Sequence, residues 1–514
     1  MIVADEKKVS GRLIVLTGFI VLATIMQTLD MTIANVALPY MQSGMSASQD
    51  QITWVLTSYV VASAIGMSLT GYLVDRFGRT RVFLYSIIGF TIASALCGMA
   101  QSLTEIVLFR VIQGIAGAAL VPLSQATLMD LYPREKFGPA LAAWGMGVML
   151  GPIFGPTLGG YLTDTMSWRW VFFINLPIGI ICAIGIVALL PETKRNANSK
   201  FDMKGFVFIA LALSSFQLFL DRGETQDWFA SLEIIVEASV AVLAFYLFIV
   251  HVFTTQRPFL NPALFKDRNY VAGSVLSFGM GVTLLSTMAL LPSMLQNLLG
   301  YPIIETGLLM MPRGIGTMMA MWVAGRMIRK VDPRLMMFGG ASLIGFCMWK
   351  MATFDLNVTP ALLMITGAIQ GFGIGILFTA LSTSAFVTLP PQFRTEGTAI
   401  FSLIRSIGSS VGISIVSTLL AQNTQINHAE LSEHITPFKK PLQMLAPNVP
   451  WNMAVNGVGS LNHEVTRQAA MISYVDVFTL MMWITVITLP LVFVLRRPKA
   501  QVAPPNPAEH AMEV

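Results

Sequence analysis

The sequence predicts an all-α polytopic membrane protein with fourteen transmembrane helices, in which two six-helix bundles flank two inserted helices. Apolar residues make up 54% of the 514 residues and lie along the whole chain, which is enough for about fourteen spans of about 20 residues each. Charged residues make up 11%, against about 25% in soluble domains. These observations exclude a soluble enzyme with one membrane anchor and a disordered chain, and the three widely separated cysteines exclude a disulfide scaffold.

Apolar runs bounded by charged residues, proline and glycine give the positions of the spans. Backbone polar groups in lipid must be satisfied within the segment, so runs of this length are predicted to be helices. In chain order we expect spans at 13–40, 52–73, 82–100, 104–124, 138–162, 168–190, 204–221, 233–253, 269–291, 304–327, 334–353, 360–382, 397–421 and 474–495.

The distribution of Lys and Arg gives the orientation. With the N-terminus inside, the inner loops and the span ends next to them carry 23 of the 32 basic residues, the outer loops and their adjoining span ends carry 6, and the other three lie deeper within spans. Because basic residues concentrate in cytoplasmic loops, we expect both termini in the cytoplasm. The net charge of +5 then belongs to these loops and does not indicate a nucleic-acid partner.

Short words recur at a nearly constant distance along the chain. The Ile-Gln-Gly segment at 112–114 recurs at 369–371, and the inner loop at 131–134 has a counterpart at 389–392, with offsets of 257 and 258 residues. Gly71 matches Gly325 with an offset of 254 residues. Chance matching of such short words is the alternative, but three offsets that agree within a few residues favour an internal duplication.

The duplication suggests how the chain is divided. We predict an N-terminal bundle at 1–195, an inserted pair of helices at 196–262 and a C-terminal bundle at 263–497. The last of these contains a polar periplasmic loop at 422–473. The composition of 498–514 predicts a disordered cytoplasmic tail.

Ionisable residues inside spans are costly, so each is a functional candidate. Asp30 in the first span and Arg110 in the fourth lie about 14 Å and about 9 Å from the outer face, so they can meet if these spans are neighbours. Arg313 and Arg405 lie near mid-depth, and Glu237 lies in the inserted pair. The alternative for each is a satisfied structural charge.

Two further sequence patterns are candidates for a functional role, a glycine–proline stripe and a charged loop. The fifth span has four glycines spaced by four with two prolines between them, namely Gly147, Gly151, Pro152, Gly155, Pro156 and Gly159. Such a stripe lets another backbone approach closely, either as plain packing or as a hinge or seal between two moving halves. The loop at 71–81 is a tight, charged turn, which serves at least as a topology signal.

These segments resemble a known family. The loop at 71–81 resembles the signature inner loop of the major facilitator superfamily, and Arg110 with Gln113 and Gly114 is similar to its helix-4 motif. The run at 151–160 resembles its antiporter motif. The segments at 29–39, which contains Asn35, and at 168–177 are similar to those of fourteen-span drug:proton antiporters of the EmrB/QacA type. The long outer segment makes the resemblance closer to EmrB.

The resemblance implies roles for individual residues. It assigns proton coupling to Asp30 and its tuning to Arg110. It implies an inner gate of Asp75, Arg76, Gly78 and Arg79, in which the Asp75 carboxylate faces a helix N-terminus of the other half. It further implies residence in a bacterial inner membrane, drive by the proton gradient without a cofactor, and a periplasmic adaptor and outer-membrane channel as partners.

The substrate class is less constrained by the sequence. Arg313, Arg405, Gln113 and Asn35 are candidates for a substrate or charge network, and no acid lies deep in spans 10 to 13. This absence favours neutral or weakly acidic amphipathic compounds over permanent cations. Export of a single metabolite or siderophore is the alternative. The scattered histidines give no catalytic or metal cluster, so we do not expect an enzyme.

Overall fold

The computed structural model describes residues 11–193, 201–256, 258–328, 330–435 and 455–495. These ranges contain no β-strand. The α-helices are α1 (Gly11–Gly44), α2 (Gln49–Ile52), α3 (Trp54–Phe77), α4 (Arg79–Met99), α5 (Leu103–Gly117), α6 (Leu120–Leu131), α7 (Phe137–Thr165), α8 (Trp170–Phe173), α9 (Asn175–Leu189), α10 (Met203–Arg222), α11 (Leu232–Thr254), α12 (Arg268–Ser293), α13 (Ile303–Met327), α14 (Pro333–Met351), α15 (Pro360–Val387), α16 (Arg394–Glu433) and α17 (Val455–Thr488).

The helical class is confirmed, whereas the count of fourteen spans is not. In the described ranges, twelve helical segments are long and apolar enough to cross a membrane. The predicted spans at 304–327 and 334–353 are present as α13 and α14, with 25 and 19 residues. Their length suffices for a span, but glycine, methionine and basic residues make them less apolar than the other twelve.

Several helices in the structure begin or end at residues other than those predicted from the sequence. The fourth span is interrupted at residues 118–119, between α5 and α6, and helix continues to Leu131. The predicted outer loop at 422–473 is largely helical where it is described, because α16 continues to Glu433 and α17 begins at Val455. The predicted tail at 498–514 and the boundary near residue 195 lie outside the described residues.

The outer parts of α16 and α17 form a polar helical hairpin. α16 has 40 residues, which corresponds to about 60 Å and exceeds the hydrocarbon thickness of about 30 Å. The two helices pack on one another. Asn427 Nδ2 donates a hydrogen bond to Ser473 Oγ (3.0 Å), and His428 Nε2 lies 3.1 Å from Asn462 Oδ1.

Helix packing repeats along the chain. In the first set, α1 packs on α7, α5 on α3 and α4, and α4 on α9. In the second set, α12 packs on α16, α15 on α13 and α14, and α14 on α17. We call α1–α9 the N-terminal half and α12–α17 the C-terminal half. The halves meet mainly where α7 contacts α13 and where α3 contacts α16.

The remaining two helices, α10 and α11, pack against one another and reach both halves. α10 contacts α3 and α16. Ile209, Leu213 and Phe248 share one buried apolar cluster with Ala64 and Leu403. This pair therefore covers one edge of the α3–α16 contact, and the two halves approach one another most closely at the α7–α13 seam on the other side.

Candidate functional site

A buried polar cluster surrounds Asp30 in the N-terminal half. Arg110 NH1 lies 2.7 Å from Asp30 Oδ2, and Gln113 Nε2 donates to Asp30 Oδ1 at 3.0 Å. Asn175 Nδ2 donates to the same Oδ1 at 2.8 Å. All four side chains are essentially inaccessible, with Asp30 at 1% exposure. The structure thus brings together Asp30 and Arg110, as their depths allowed, and adds Gln113 and Asn175.

Local helix geometry explains this convergence. Arg110 and Gln113 are three residues apart on α5 and so share one face, and Arg110 NH1 also donates to Gln113 Oε1 at 2.8 Å. Asn175 stands at the start of α9, directly after the break at Ile174. Its Nδ2 also donates to Ser94 Oγ at 2.9 Å, which fixes the amide toward Asp30.

The surroundings of Arg110 are aromatic and dry. Its guanidinium carbon lies 4.9 Å from the ring centroid of Tyr59 and 5.0 Å from that of Phe172, within the range of cation–π attraction. Its Nε and NH2 are buried without a hydrogen-bond acceptor among the described residues. Asp30 is therefore the anion that compensates this cation, and buried donors without acceptors are costly.

Protonation of Asp30 would change this balance. The ionised carboxylate accepts bonds from Arg110, Gln113 and Asn175, whereas a neutral acid offers weaker acceptors and no opposite charge. A buried ion pair that loses one charge leaves the other uncompensated, which is strongly destabilising. The cluster can therefore convert the gain of one proton into a structural change.

The glycine stripe of α7 lies against α1, the helix that carries Asp30. A Cβ atom at Gly151 would lie 2.6 Å from Thr28 Oγ1, and Thr32 Oγ1 donates to the Gly151 carbonyl at 3.0 Å. Gly147, Gly155 and Gly159 also face α1. The stripe thus packs α7 inside the N-terminal half and is not itself the contact between halves.

The opposite side of α7 forms that contact. A Cβ atom at Gly307 of α13 would lie 3.0 Å from Thr157 Oγ1, and one at Gly325 would lie 2.8 Å from Ala142 Cβ. Pro152 and Pro156 lie within the helix, where each removes one backbone donor. One helix thus connects the Asp30-bearing helix with the other half.

An ion-pair bridge joins the halves at the end of the bundle where α6 ends and α16 begins. Asp130, at the end of α6, forms an ion pair with Arg79, and Arg394 NH1 donates to its other oxygen at 2.7 Å. Arg79 NH2 also donates to Thr395 Oγ1 at 3.0 Å, and Arg394 NH1 to the Met129 carbonyl at 3.0 Å. Asp130 therefore joins α4 of one half to α16 of the other.

The structure gives the predicted gate residues different surroundings, and only some of them take part in the contact between the halves. Gly78 ends α3 with φ = 87°, a conformation that glycine adopts without strain, and it turns the chain so that Arg79 begins α4. Asp75 is exposed and has no hydrogen bond or ion pair among the described residues. It lies near the first turn of α16, as expected, but that turn presents the carboxylate of Glu396, which repels it.

Arg76 also has no ion pair within the described ranges. Sequence reasoning missed Asp130 and did not assign a role to Arg394 or Asn175. Asp130 lies six residues beyond the predicted end of the fourth span and directly before the repeated loop at 131–134, and an acid next to that loop is the signal that was available.

The mid-depth arginines lie apart from the Asp30 cluster. Arg313 is 3% exposed, its NH2 lies 3.4 Å from the Leu284 carbonyl, and its NH1 has no acceptor among the described residues. The Arg405 guanidinium lies 5.5 Å from the ring centroid of Phe378, and that ring stacks on Trp144 of α7 at 5.9 Å. Arg405 thus lies beside an aromatic ring of its own half, and that ring contacts Trp144 of the other half.

Two remaining candidates lie elsewhere. Asn35 is exposed and makes no hydrogen bond to the Asp30 cluster in the described structure. Glu237 lies 3.5 Å from Arg222 in the inserted pair, so it is a paired charge distant from both halves' polar clusters. The described residues also contain no group of His, Cys, Asp and Glu side chains that would hold a metal ion.

Comparison with known proteins agrees with this arrangement. A family profile described as Major Facilitator Superfamily matches residues 20–413. The chain is 35% identical over 499 residues to the multidrug export protein EmrB of Escherichia coli K12, covering 96% of this chain and 98% of that protein. It is 34% identical over 480 residues to the fatty acid resistance protein FarB of Neisseria gonorrhoeae, covering 93% and 95%.

A solved structure shows the same fold at low sequence identity. The human organic anion transporter MFSD10 (TETRAN) superposes with a TM-score of 0.59 and 14% identity, covering 93% of this chain and all of that one. The profile match spans most of the chain, and the bacterial relatives cover nearly all of it. The chain therefore belongs to the major facilitator superfamily.

Proposed function

We propose that this protein exports lipophilic or amphipathic small molecules across a bacterial inner membrane in exchange for protons. The observation that carries the proposal is the Asp30 cluster, a buried carboxylate that faces one arginine and two amides. Relatives named for multidrug export and fatty acid resistance supply the direction and the substrate class. The proton gradient supplies the energy, and no cofactor is required.

The path from proton to transport runs through α7. When Asp30 gains a proton, Arg110 loses its counter-ion and the contacts of α1 with α5 and α9 weaken. α1 is packed on α7 through Gly151, and α7 contacts α13 of the C-terminal half. Displacement of α1 therefore reaches the contact between the halves, and the Asp130 bridge sets how readily the cytoplasmic end opens.

The aromatic and cationic lining near mid-depth supports weakly acidic or neutral substrates. Arg405 has no acidic partner among the described residues, and its guanidinium lies against the buried ring of Phe378, which stacks on the buried ring of Trp144. Such a site attracts an organic anion or a neutral aromatic compound and repels a permanent cation. Export of one metabolite or siderophore is the second candidate, and it shares this lining.

The architecture belongs to the same proposal. We infer that α13 and α14 also cross the bilayer, which gives fourteen spans in two six-helix bundles with α10 and α11 inserted between them. Both termini then lie in the cytoplasm. The α16–α17 hairpin extends into the periplasm, where its polar surface docks an adaptor that leads to an outer-membrane channel.

Accumulation of a fluorescent lipophilic drug in whole cells tests the function. Cells that express the chain should accumulate less drug, and an uncoupler should restore accumulation to the level of cells without it. Asp30→Asn keeps the shape of the side chain and removes the titration, so it should abolish uphill export. Counterflow of drug in proteoliposomes should persist, because exchange needs no net proton movement.

A matched acid at the outer end of α7 provides the control. Asp164 accepts a hydrogen bond from Tyr40, and Asp164→Asn preserves an acceptor there, so export should continue. Wild-type export by Asp30→Asn would show that Asp30 is structural and that proton coupling lies elsewhere.

A further inference from the structure

A cavity of about 610 Å³ lies at the cytoplasmic end of the seam between α7 and α13. It is lined from the two halves by Pro139, Ala142, Met146, Trp322, Arg326 and Lys330. At the base of the cavity the backbone of Gly325 lies close to α7, because a Cβ atom at this position would lie 2.8 Å from Ala142 Cβ. The cavity is thus built where the halves touch, and it is separate from the Asp30 cluster and from the Asp130 bridge.

The cavity opens toward the bilayer. Met319, Trp322 and Arg326 follow one another at helical spacing on one side of α13, and Met319 and Trp322 are 59% and 53% exposed. Large apolar side chains exposed on a membrane helix face lipid. From Pro139 to Met146 the α7 wall rises about 10 Å from the cytoplasmic end, so the walls lie at the depth of the inner leaflet.

Positive charge stands at the cytoplasmic end of this apolar groove. Arg326 and Lys330 are exposed, and neither has an acidic partner in the described part of the chain. The guanidinium carbon of Arg326 lies 3.7 Å from the ring centroid of Trp322. Two unpaired cations at one end of an apolar cavity are complementary to an anionic headgroup that carries acyl chains. A free anion without an acyl chain would leave the apolar part of the cavity unfilled.

We propose that this cavity binds an anionic phospholipid of the inner leaflet. Arg326 and Lys330 hold the phosphate, and one acyl chain lies in the slot between Met146 and Trp322. The lipid then contacts both halves at once. Because transport by this fold moves one half against the other, the bound lipid stabilises the arrangement in which the cytoplasmic ends of α7 and α13 are packed.

Native mass spectrometry of the purified full chain tests the binding. The delipidated protein is titrated with phosphatidylglycerol and, separately, with phosphatidylcholine of the same acyl chains. Phosphatidylglycerol should bind more tightly to one saturable site. Each basic residue near the membrane surface contributes about fivefold to the affinity for anionic lipid, so the double variant Arg326→Gln/Lys330→Gln should lose about thirtyfold.

Two controls define the site. The variant Lys204→Gln/Lys266→Gln removes two other exposed cytoplasmic cations and should keep the wild-type affinity, while the melting temperature shows that both double variants are folded. Millimolar inorganic phosphate should not displace the lipid, because the acyl chain supplies part of the binding.

Three results would overturn the proposal. The first is equal affinity for the two lipids, and the second is an equal loss of affinity in both double variants. The third is displacement of phosphatidylglycerol by micromolar dodecanoate, which would identify the cavity as an entrance for exported anions. Lipid binding does not depend on proton coupling, so this proposal and the proposed transport function fail independently.

Discussion

Removing the charge of Asp130 should separate the two halves at the end where α6 ends and α16 begins. Asp130→Asn keeps one oxygen acceptor but removes the negative charge that Arg79 of α4 and Arg394 of α16 share. The two arginine side chains are 11% and 8% exposed, and that of Asp130 is 35% exposed. The arginines would retain their bonds to Thr395 and to the Met129 carbonyl.

The size of the effect follows from this geometry. A hydrogen bond to a charged group contributes about 1.5–3 kcal/mol when it is buried, and solvent near Asp130 reduces that value. We take about 2 kcal/mol for the loss of both charged contacts, which shifts the equilibrium between the closed and open arrangements of this end about thirtyfold toward the open one. Arg394→Gln should have a similar effect, and combining the two substitutions should add little.

Distances between spin labels measure this shift. Labels at Phe77→Cys and Gln392→Cys, on exposed positions of opposite halves near this bridge, should show a larger population at long distance in Asp130→Asn than in the parent. Arg81→Gln is the matched control. It breaks an exposed pair with Glu192 within one half, so it should leave the distances unchanged. An unchanged distribution in Asp130→Asn would refute the view that this bridge holds the halves together.

Two further predictions concern stability. Burial raises the pKa of Asp202, but hydrogen bonds from the Gly205 N–H and His251 outweigh this effect and leave the pKa below its usual range. The resulting stabilisation is present above about pH 4 and is lost as the pH falls further. Melting curves in detergent at several pH values should show this loss in the parent and not in Asp202→Asn. In Gly151→Ala the added Cβ would come within 2.7 Å of the α1 backbone, so the melting temperature and export should fall. In Gly18→Ala no atom lies within 4 Å of the added Cβ and alanine favours the helix more than glycine does, so export should be unchanged and the melting temperature should not fall. A melting temperature of Gly151→Ala equal to that of the parent would contradict the close α1–α7 packing.

Sequence patterns predicted the parts of this fold that depend on composition and period. Helical class and most helix positions follow from apolar runs. The pairing of Asp30 with Arg110 follows from depth and from the cost of burying either charge alone. The break between α5 and α6 was not predictable in this way, because residues 117–119 (Gly-Ala-Ala) are compatible with continuous helix.

The missed residues share a physical reason. Asn175 is uncharged, so it carries no insertion penalty that would mark it, and its position at a helix break depends on tertiary packing. Asp130 and Arg394 each lie at a helix end, where charged residues are common. Only the contact between α6 and α16, 264 residues apart along the chain, shows that these two side chains form one bridge.

The position of α7 explains why the glycine stripe at Gly147, Gly151, Gly155 and Gly159 matters although it faces α1 and not the other half. Flexible side chains between α1 and α7 would absorb a small movement of Asp30 by changing rotamer. At Gly151 the contact is instead backbone against backbone, with the Thr32 hydroxyl bonded to the Gly151 carbonyl. Such a contact has few soft degrees of freedom, so α1 and α7 move together. Under the proposed mechanism, the contacts of α7 with α13, which include Gly307 and Gly325, then carry a movement of α1 to the C-terminal half.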